Sequence, residues 1–298
     1  MRSAASPSLV SSERRAIEYA SMVRVGLVGC GTIGSRLALA LQRNYADVAR
    51  VIALYDINPS HALALQQRLT NAPPITPLST LIRRSHLVIE AASAHAASRL
   101  IKQALRANRS VLIMSVGGLL GSARWQTLAH RSTGRVYIPS GALVGLDGVK
   151  AMAIGRIRRA SLTTRKPPRA LFSAPYVRRR GLRLNRLTKP RVIFDGSPRA
   201  AVAAFPQNTN IAAALTLAMQ SSAQPAGRSA ARAPVRIRVI ADPTIRVNRH
   251  ELVVVSDCGR FECQVESVPS ANPKTSELAV RSAIATLGRI FRPIAVGT

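Results

Sequence analysis

Val23-Arg-Val-Gly-Leu-Val-Gly-Cys-Gly-Thr-Ile-Gly34 is the stretch on which the fold turns. Its first six residues are almost continuously apolar, the mark of a buried strand, and they run directly into Gly29-Cys30-Gly31-Thr32-Ile33-Gly34. A helical pattern follows through Leu37, Leu39 and Leu41. Between a strand and a helix the three glycines have separate duties. Gly29 allows a tight turn, Gly31 lets backbone approach a pyrophosphate, and Gly34 lets helix and strand pack closely. The amides of the helix start, around Thr32 and Ile33, point at the phosphates. Arg50-Val-Ile-Ala-Leu-Tyr-Asp56 is a second apolar strand that closes on an acid. Asp56 can accept hydrogen bonds from adenosine ribose hydroxyls and would repel a 2′-phosphate, which Ile57-Asn58-Pro59 has no Arg to hold. The βαβ unit therefore predicts NAD as cofactor, with NADP as the second choice.

Working outward, the apolar runs His86–Ala92, Ser110–Ser115 and Arg135–Pro139 alternate with helical stretches at the spacing of a parallel sheet covered on both faces. The fold class is α/β: an N-terminal Rossmann doubly wound parallel sheet with a second, smaller α+β domain. Residues 22–148 form the dinucleotide-binding domain, 149–272 the substrate domain, and 273–298 a C-terminal helix that packs back on the first domain. Residues 1–21 read as a disordered extension, because they mix Arg2, Arg14 and Arg15 with Glu13 and Glu18 and lack the apolar run of a secretory signal. In the second domain Ala151–Thr164 alternates like a strand, Tyr176–Arg191 is a basic loop, Asp195–Ala204 a short helix and Asn210–Met219 a clearer one. Ser221–Pro234 reads as a linker, and strands follow at Val235–Ala241, Glu251–Ser256 and Arg260–Val268 before a last helix over Pro273–Phe291.

The composition bounds the function. In 298 residues, 43 Lys and Arg stand against 13 Asp and Glu, a net charge of +30, yet 47% of the chain is hydrophobic and the mean hydropathy is +0.11. A disordered basic protein is excluded. On its face that charge suggests a phosphate-rich partner. However, 38 of the cations are Arg and five are Lys, spread through most of the chain rather than gathered in one tail, which disfavours nucleic acid as the main partner despite the charge. Three cysteines, Cys30, Cys258 and Cys263, support neither a disulfide framework nor a zinc site, which points to a reducing, cytoplasmic setting and no metal. No apolar run is long enough to span a bilayer.

Of five histidines, His61, His86, His95 and His130 fall in helical or strand-edge contexts of the first domain. His250 differs: it is placed between two strands of the second domain, where a substrate would face the nicotinamide, and an imidazole titrates near neutrality.

Several segments taken in order resemble one family, the L-aspartate dehydrogenases. They are Gly29–Gly34, Met114-Ser-Val-Gly-Gly-Leu119, Pro139-Ser-Gly-Ala-Leu-Val-Gly-Leu-Asp147, Thr163-Thr-Arg-Lys-Pro-Pro168, Phe205-Pro-Gln-Asn-Thr-Asn-Ile-Ala-Ala213, Ala241-Asp-Pro243, Asn248-Arg-His250 and Asn272-Pro-Lys-Thr-Ser276. The glycine motif is common to many dehydrogenases, whereas the others together are specific. The resemblance implies His250 as the catalytic histidine and nicotinamide-side contacts at Ala142 and Asn208. It also implies oxidative deamination of L-aspartate to iminoaspartate, a homodimer, and a place in NAD biosynthesis. A dianionic substrate calls for cations, and Lys274 and Lys166 are the candidates. The chain departs from the family in its long Ser221–Pro234 stretch, its basic Tyr176–Arg191 segment and its charge. A Rossmann oxidoreductase for another small amino or hydroxy acid, and a basic nucleic-acid binder built on the same scaffold, are the alternatives. Sugar oxidoreductases place Glu-Lys-Pro where this chain has Met114-Ser-Val, which disfavours them.

Overall fold

The computed structural model describes residues 22–122, 124–206, 210–221, 235–268, 270 and 276–297. The reading of 1–21 as an extension, the 222–234 part of the linker, Asn208 and Lys274 lie outside the described residues.

The first half alternates strands and helices: β1 (Val23–Val28), α1 (Thr32–Asn44), β2 (Ala49–Tyr55), α2 (Pro59–Gln66), α3 (Leu78–Arg84), β3 (Leu87–Glu90), α4 (Ala94–Arg106), β4 (Ser110–Ile113), α5 (Gly117–Leu120), α6 (Trp125–Arg131) and β5 (Val136–Tyr137). The five strands are parallel in the order β2-β1-β3-β4-β5. That order reverses direction between β1 and β3, and in open α/β sheets the ligand crevice lies at such a switch point, outside the carboxyl ends of the strands. Every residue of β3 is buried, which only a sheet covered on both faces allows. Val23, Val25 and Leu27 of β1 pack on Leu37, Ala38 and Leu41 of α1 on one side, while Val28 joins α3 and α4 on the other.

The second half runs α7 (Leu146–Met152), β6 (Ile157–Lys166), α8 (Pro175–Arg179), β7 (Arg191–Gly196), α9 (Pro198–Ala204), α10 (Asn210–Ser221), β8 (Val235–Ala241), β9 (Asn248–Ser256), β10 (Gly259–Ser267) and α11 (Glu277–Phe291). Its sheet is mixed, in the order β10-β9-β6-β8-β7, with only β6 and β8 parallel. α7 and α10 cover its inner face through Val149, Met152, Ile211 and Leu215, and α10 also reaches the first core through Ala213, Ala214 and Leu217. α11 returns to the first sheet, where Ala283, Leu287, Ile290 and Phe291 bury against the β1–α1 face.

Four local readings change. Ala151 and Met152 end α7, and β6 starts at Ile157 after a turn and runs on to Lys166. The 176–191 segment carries α8 and a short 3-10 turn at Leu184–Arg186, pinned by buried Val177 and Leu184, so its basic residues ride on an ordered surface. Asp195 belongs to β7, an edge strand, and the helix after it starts only at Pro198 with Ser197 as its cap. His250 lies inside β9 rather than between strands: Asn248 and Arg249 already pair with Ser267 and Glu266 of β10.

Candidate active site

A cleft separates the carboxyl end of the first sheet from one end of the second. Ile33, Met114, Ser140 and Ala142 line it from the first half, Lys166, Asn248 and His250 from the second. Asn210 of α10 closes one flank and Ser276 and Ala279 at the start of α11 another.

The glycine loop enters this cleft from β1. Gly29 has φ +91°, and a Cβ there would meet the carbonyl carbon of Ala91 at 2.6 Å, so only glycine fits the turn. A Cβ on Gly34 would sit on the carbonyl oxygen of Gly29, whereas one on Gly31 would meet nothing within 4 Å. Gly31 thus borders open space, which a pyrophosphate approaching the backbone requires. α4 and α11 are capped by Ser93 and Ser276, but α1 has neither a side-chain cap nor an acid in its first turn. Its positive end is left for an anion. Asp56 closes β2 and holds the loop: its Oδ2 accepts from the Cys30 amide at 2.7 Å and its Oδ1 from Asn58 at 2.8 Å. Each oxygen keeps a lone pair for a ribose hydroxyl. These residues fit a dinucleotide. Burial and the Asp56 charge push the Cys30 thiol up to about 12, so it stays protonated and plays no nucleophilic part.

Glu90 is a fully buried acid that no sequence signal marks out. It ends β3 and gathers the loops after β3 and β4, accepting from the amides of Ala92, Ser93 and Ser115 and from the Ser115 hydroxyl at 2.8–3.0 Å. Burial raises its carboxyl, and these donors work against that rise. Asn210 fastens the next loop to α10, donating to the Met114 carbonyl at 3.2 Å and accepting from the Gly117 amide at 3.1 Å.

The polar wall of the cleft comes from β6 and β9. Along β6 the inward residues are Ala160, Leu162, Thr164 and Lys166; along β9 they are Val254, Leu252, His250 and Asn248. Both series pass from apolar to polar where the sheet leaves the core and reaches the cleft. Thr164 lies directly opposite His250 in the antiparallel register, with its Oγ1 3.2 Å from His250 Nδ1. All four polar side chains are buried. Burial pushes the Lys166 ammonium down to about 8. Burial and the Lys166 charge push His250 down to about 3, so the imidazole is neutral.

The structure therefore brings Ile33, Ala142, Lys166 and His250 to one cleft, with Gly29, Gly31, Thr32, Gly34 and Asp56 at the adjoining loop and strand end. Thr164 and Asn248 were not singled out individually, although reading every second residue back from Lys166 and His250 finds both. Glu90 had no such signal, because one acid at a strand end looks like any other.

Residues 147–290 match the family model described as "Aspartate dehydrogenase, C-terminal", and residues 29–139 the one described as "Homoserine dehydrogenase, NAD binding domain". An L-aspartate dehydrogenase of Methanosarcina mazei is 40% identical over 93% of this chain and 100% of its own. The chain belongs to the L-aspartate dehydrogenase family. L-aspartate dehydrogenase 3 of Bordetella bronchiseptica is 35% identical over 92% of this chain and 97% of its own length. The fold agrees with that of the aspartate dehydrogenase of Thermotoga maritima, which is 23% identical and superimposes with a TM-score of 0.66 over 93% of this chain and all of the other. The aspartate dehydrogenase match takes in β6, β9 and α11, so the polar wall of the cleft falls within it.

Proposed function

We propose that this protein is an NAD-dependent L-aspartate dehydrogenase, interconverting L-aspartate and iminoaspartate, which water hydrolyses to oxaloacetate and ammonia. The observation that carries the reading is one buried cation and one neutral imidazole, Lys166 and His250, facing an uncapped glycine-loop helix across a single cleft. The nicotinamide, when bound, supplies the hydride acceptor; the chain supplies the rest. Lys166 pairs with a substrate carboxylate. His250 takes a proton from the α-ammonium, which frees the nitrogen lone pair to form the C=N bond as the α-hydrogen leaves with its electron pair. In the return direction the imidazolium gives that proton back. Two substrate carboxylates offset the Lys166 charge and draw the imidazole up from its low value, so the substrate itself makes the base effective.

Ala142 is the contact for the nicotinamide side, with Asn208 as the second, and Lys274 is the further candidate for the other carboxylate. Gly29, Gly31, Thr32, Ile33 and Gly34 hold the pyrophosphate and Asp56 the ribose; NADP binds less well against that carboxylate. The outward face of the second sheet, with Arg165, Glu251 and Val253 half-exposed, suits pairing into a homodimer. Three free thiols suit a cytoplasmic enzyme, and iminoaspartate suits supply to NAD biosynthesis.

The test is the change in nicotinamide absorbance with L-aspartate, and with oxaloacetate plus ammonia in reverse, using both coenzymes. H250A should lower kcat by about 10²–10⁴-fold while NAD affinity holds. A protein that binds NAD but turns over neither aspartate nor oxaloacetate with ammonia would overturn the reading.

A further inference from the structure

We propose that Thr164 is the positioning residue of the reaction: its hydroxyl holds His250 by Nδ1, so that Nε2 alone is presented to the substrate nitrogen. The inference rests on the aspartate dehydrogenase reading above. An imidazole carries two nitrogens on opposite sides of the ring, and its two neutral tautomers differ little in energy until a neighbour selects one. Here the neighbour is set by backbone register. Thr164 and His250 are direct partners across the β6–β9 ladder, both side chains face inward and both are buried. Their 3.2 Å contact is the ring's hydrogen bond among the described residues. A separation of 3.2 Å suits either direction of donation, and the chemistry chooses between them. A base needs its lone pair on the cleft side, hence the proton on Nδ1 and the threonine oxygen as acceptor.

That arrangement survives the proton transfer. When Nε2 takes the substrate proton, Nδ1–H goes on donating to the same oxygen, and no group has to turn. A neutral partner also matters beside Lys166. A carboxylate in the place of Thr164 would favour imidazolium before substrate arrives and so spend the base. A hydroxyl orients the ring and leaves its charge to be set by Lys166 and the incoming carboxylates. Alanine or valine at 164 would keep the strand and lose the orientation.

Valine is the sharper substitution, because it replaces the hydroxyl with a methyl of similar size. T164V should lower kcat about 10–100-fold while the KM for aspartate and the dissociation constant of NAD stay within about twofold. T164S should recover most of the loss. A T164V enzyme with the kcat of the parent overturns the proposal, as does a loss in T164V that T164S does not recover. A measurement made on the parent protein stands beside it: ¹⁵N spectra of ring-labelled protein, with the His250 signals assigned through H250Q. The expected result near neutral pH is a protonated Nδ1 and an unprotonated Nε2, and the reverse tautomer overturns the proposal. If the parent protein does not oxidise aspartate at all, the functional reading fails, while the tautomer result still decides whether Thr164 orders the ring.

Discussion

At the scale of single residues, Lys166 costs the fold stability, and on the proposed reading that cost places a binding charge in the cleft. Burial carries its ammonium from an ordinary 10.5 to about 8, a cost of about 3 kcal/mol to the folded state wherever the group is charged. The sign follows from proton counting. Below about pH 8 folded and unfolded chains both hold the proton and the full penalty applies; between 8 and 10.5 only the unfolded chain holds it, and the penalty fades. K166M should therefore raise thermal stability at pH 7, gain less at pH 10, and bind aspartate poorly. The same titration governs the intact enzyme, whose KM for aspartate should climb as Lys166 loses its charge above about pH 8, approaching tenfold per unit. K166R, whose guanidinium stays charged, should keep KM level across that range, and a parent KM that is flat from pH 8 to 10 would sink the carboxylate role. Lys166 and His250 were legible as residues, since a substrate with two carboxylates calls for a cation in a motif segment and a histidine outside the first domain stands out. Their partnership was not, because Thr164 and Asn248 look like ordinary strand polars until the register sets them opposite.

At the scale of elements, the β1–loop–α1 unit was readable almost to the residue, because its demands are steric and local: a buried strand, a turn with positive φ and a close helix start each leave one residue type standing. Two glycines separate the demands of folding from those of binding. In G31A the new methyl faces open space and φ is ordinary, so the protein should fold and melt as the parent does, yet bind NAD at least tenfold more weakly because the methyl occupies the approach of the pyrophosphate. In G34A the methyl falls on the Gly29 carbonyl, so α1 must move off β1 and the melting temperature should drop by several degrees. Equal melting temperatures for the two variants, or an undiminished NAD affinity in G31A, would contradict this division. Elements of the second half were harder to read because their signals are shared. Among the described residues β7 is an edge strand bonded to β8 alone, so half of its positions need not be apolar, and Asp195 pairs with Arg236 of β8 instead. β9 keeps a strict period of two, but its inner series turns polar at Asn248 and His250 where the cleft replaces the core, and a search for alternating hydrophobicity stops short at Glu251.

At the scale of the whole molecule, a net charge of +30 acts on folding and on catalysis in opposite senses. Between Asp147 and Asp195 the chain carries no acid, so the second half holds a stretch whose cations lack counter-charges in sequence. Arg178, Arg179 and Arg180 stand exposed along α8 and the residue after it. Such a surface repels itself, and the repulsion reaches across the molecule when the Debye length is about 30 Å at 0.01 M salt and is cut to about 10 Å at 0.1 M. Surface pairs such as Arg260 with Glu262 and Arg249 with Glu266 are weakened by the same salt, but exposed pairs contribute little and the excess cations far outnumber them. Repulsion wins, so the melting temperature should rise as salt goes from 0.01 to 0.1 M. Substrate capture should move the other way. The field that strains the fold also concentrates aspartate, whose two carboxylates outweigh its one ammonium, and an anionic coenzyme near the cleft, so kcat/KM should fall over that interval. The reacting groups are governed by the charges they touch, Lys166 and the substrate carboxylates, at separations far shorter than the Debye length at either salt, so kcat should stay level. Stability rising while kcat/KM falls at constant kcat separates a general cationic field from local ion pairing, because local pairs would lose stability and capture together; both falling in step would show that the paired charges, and not the excess, govern this molecule.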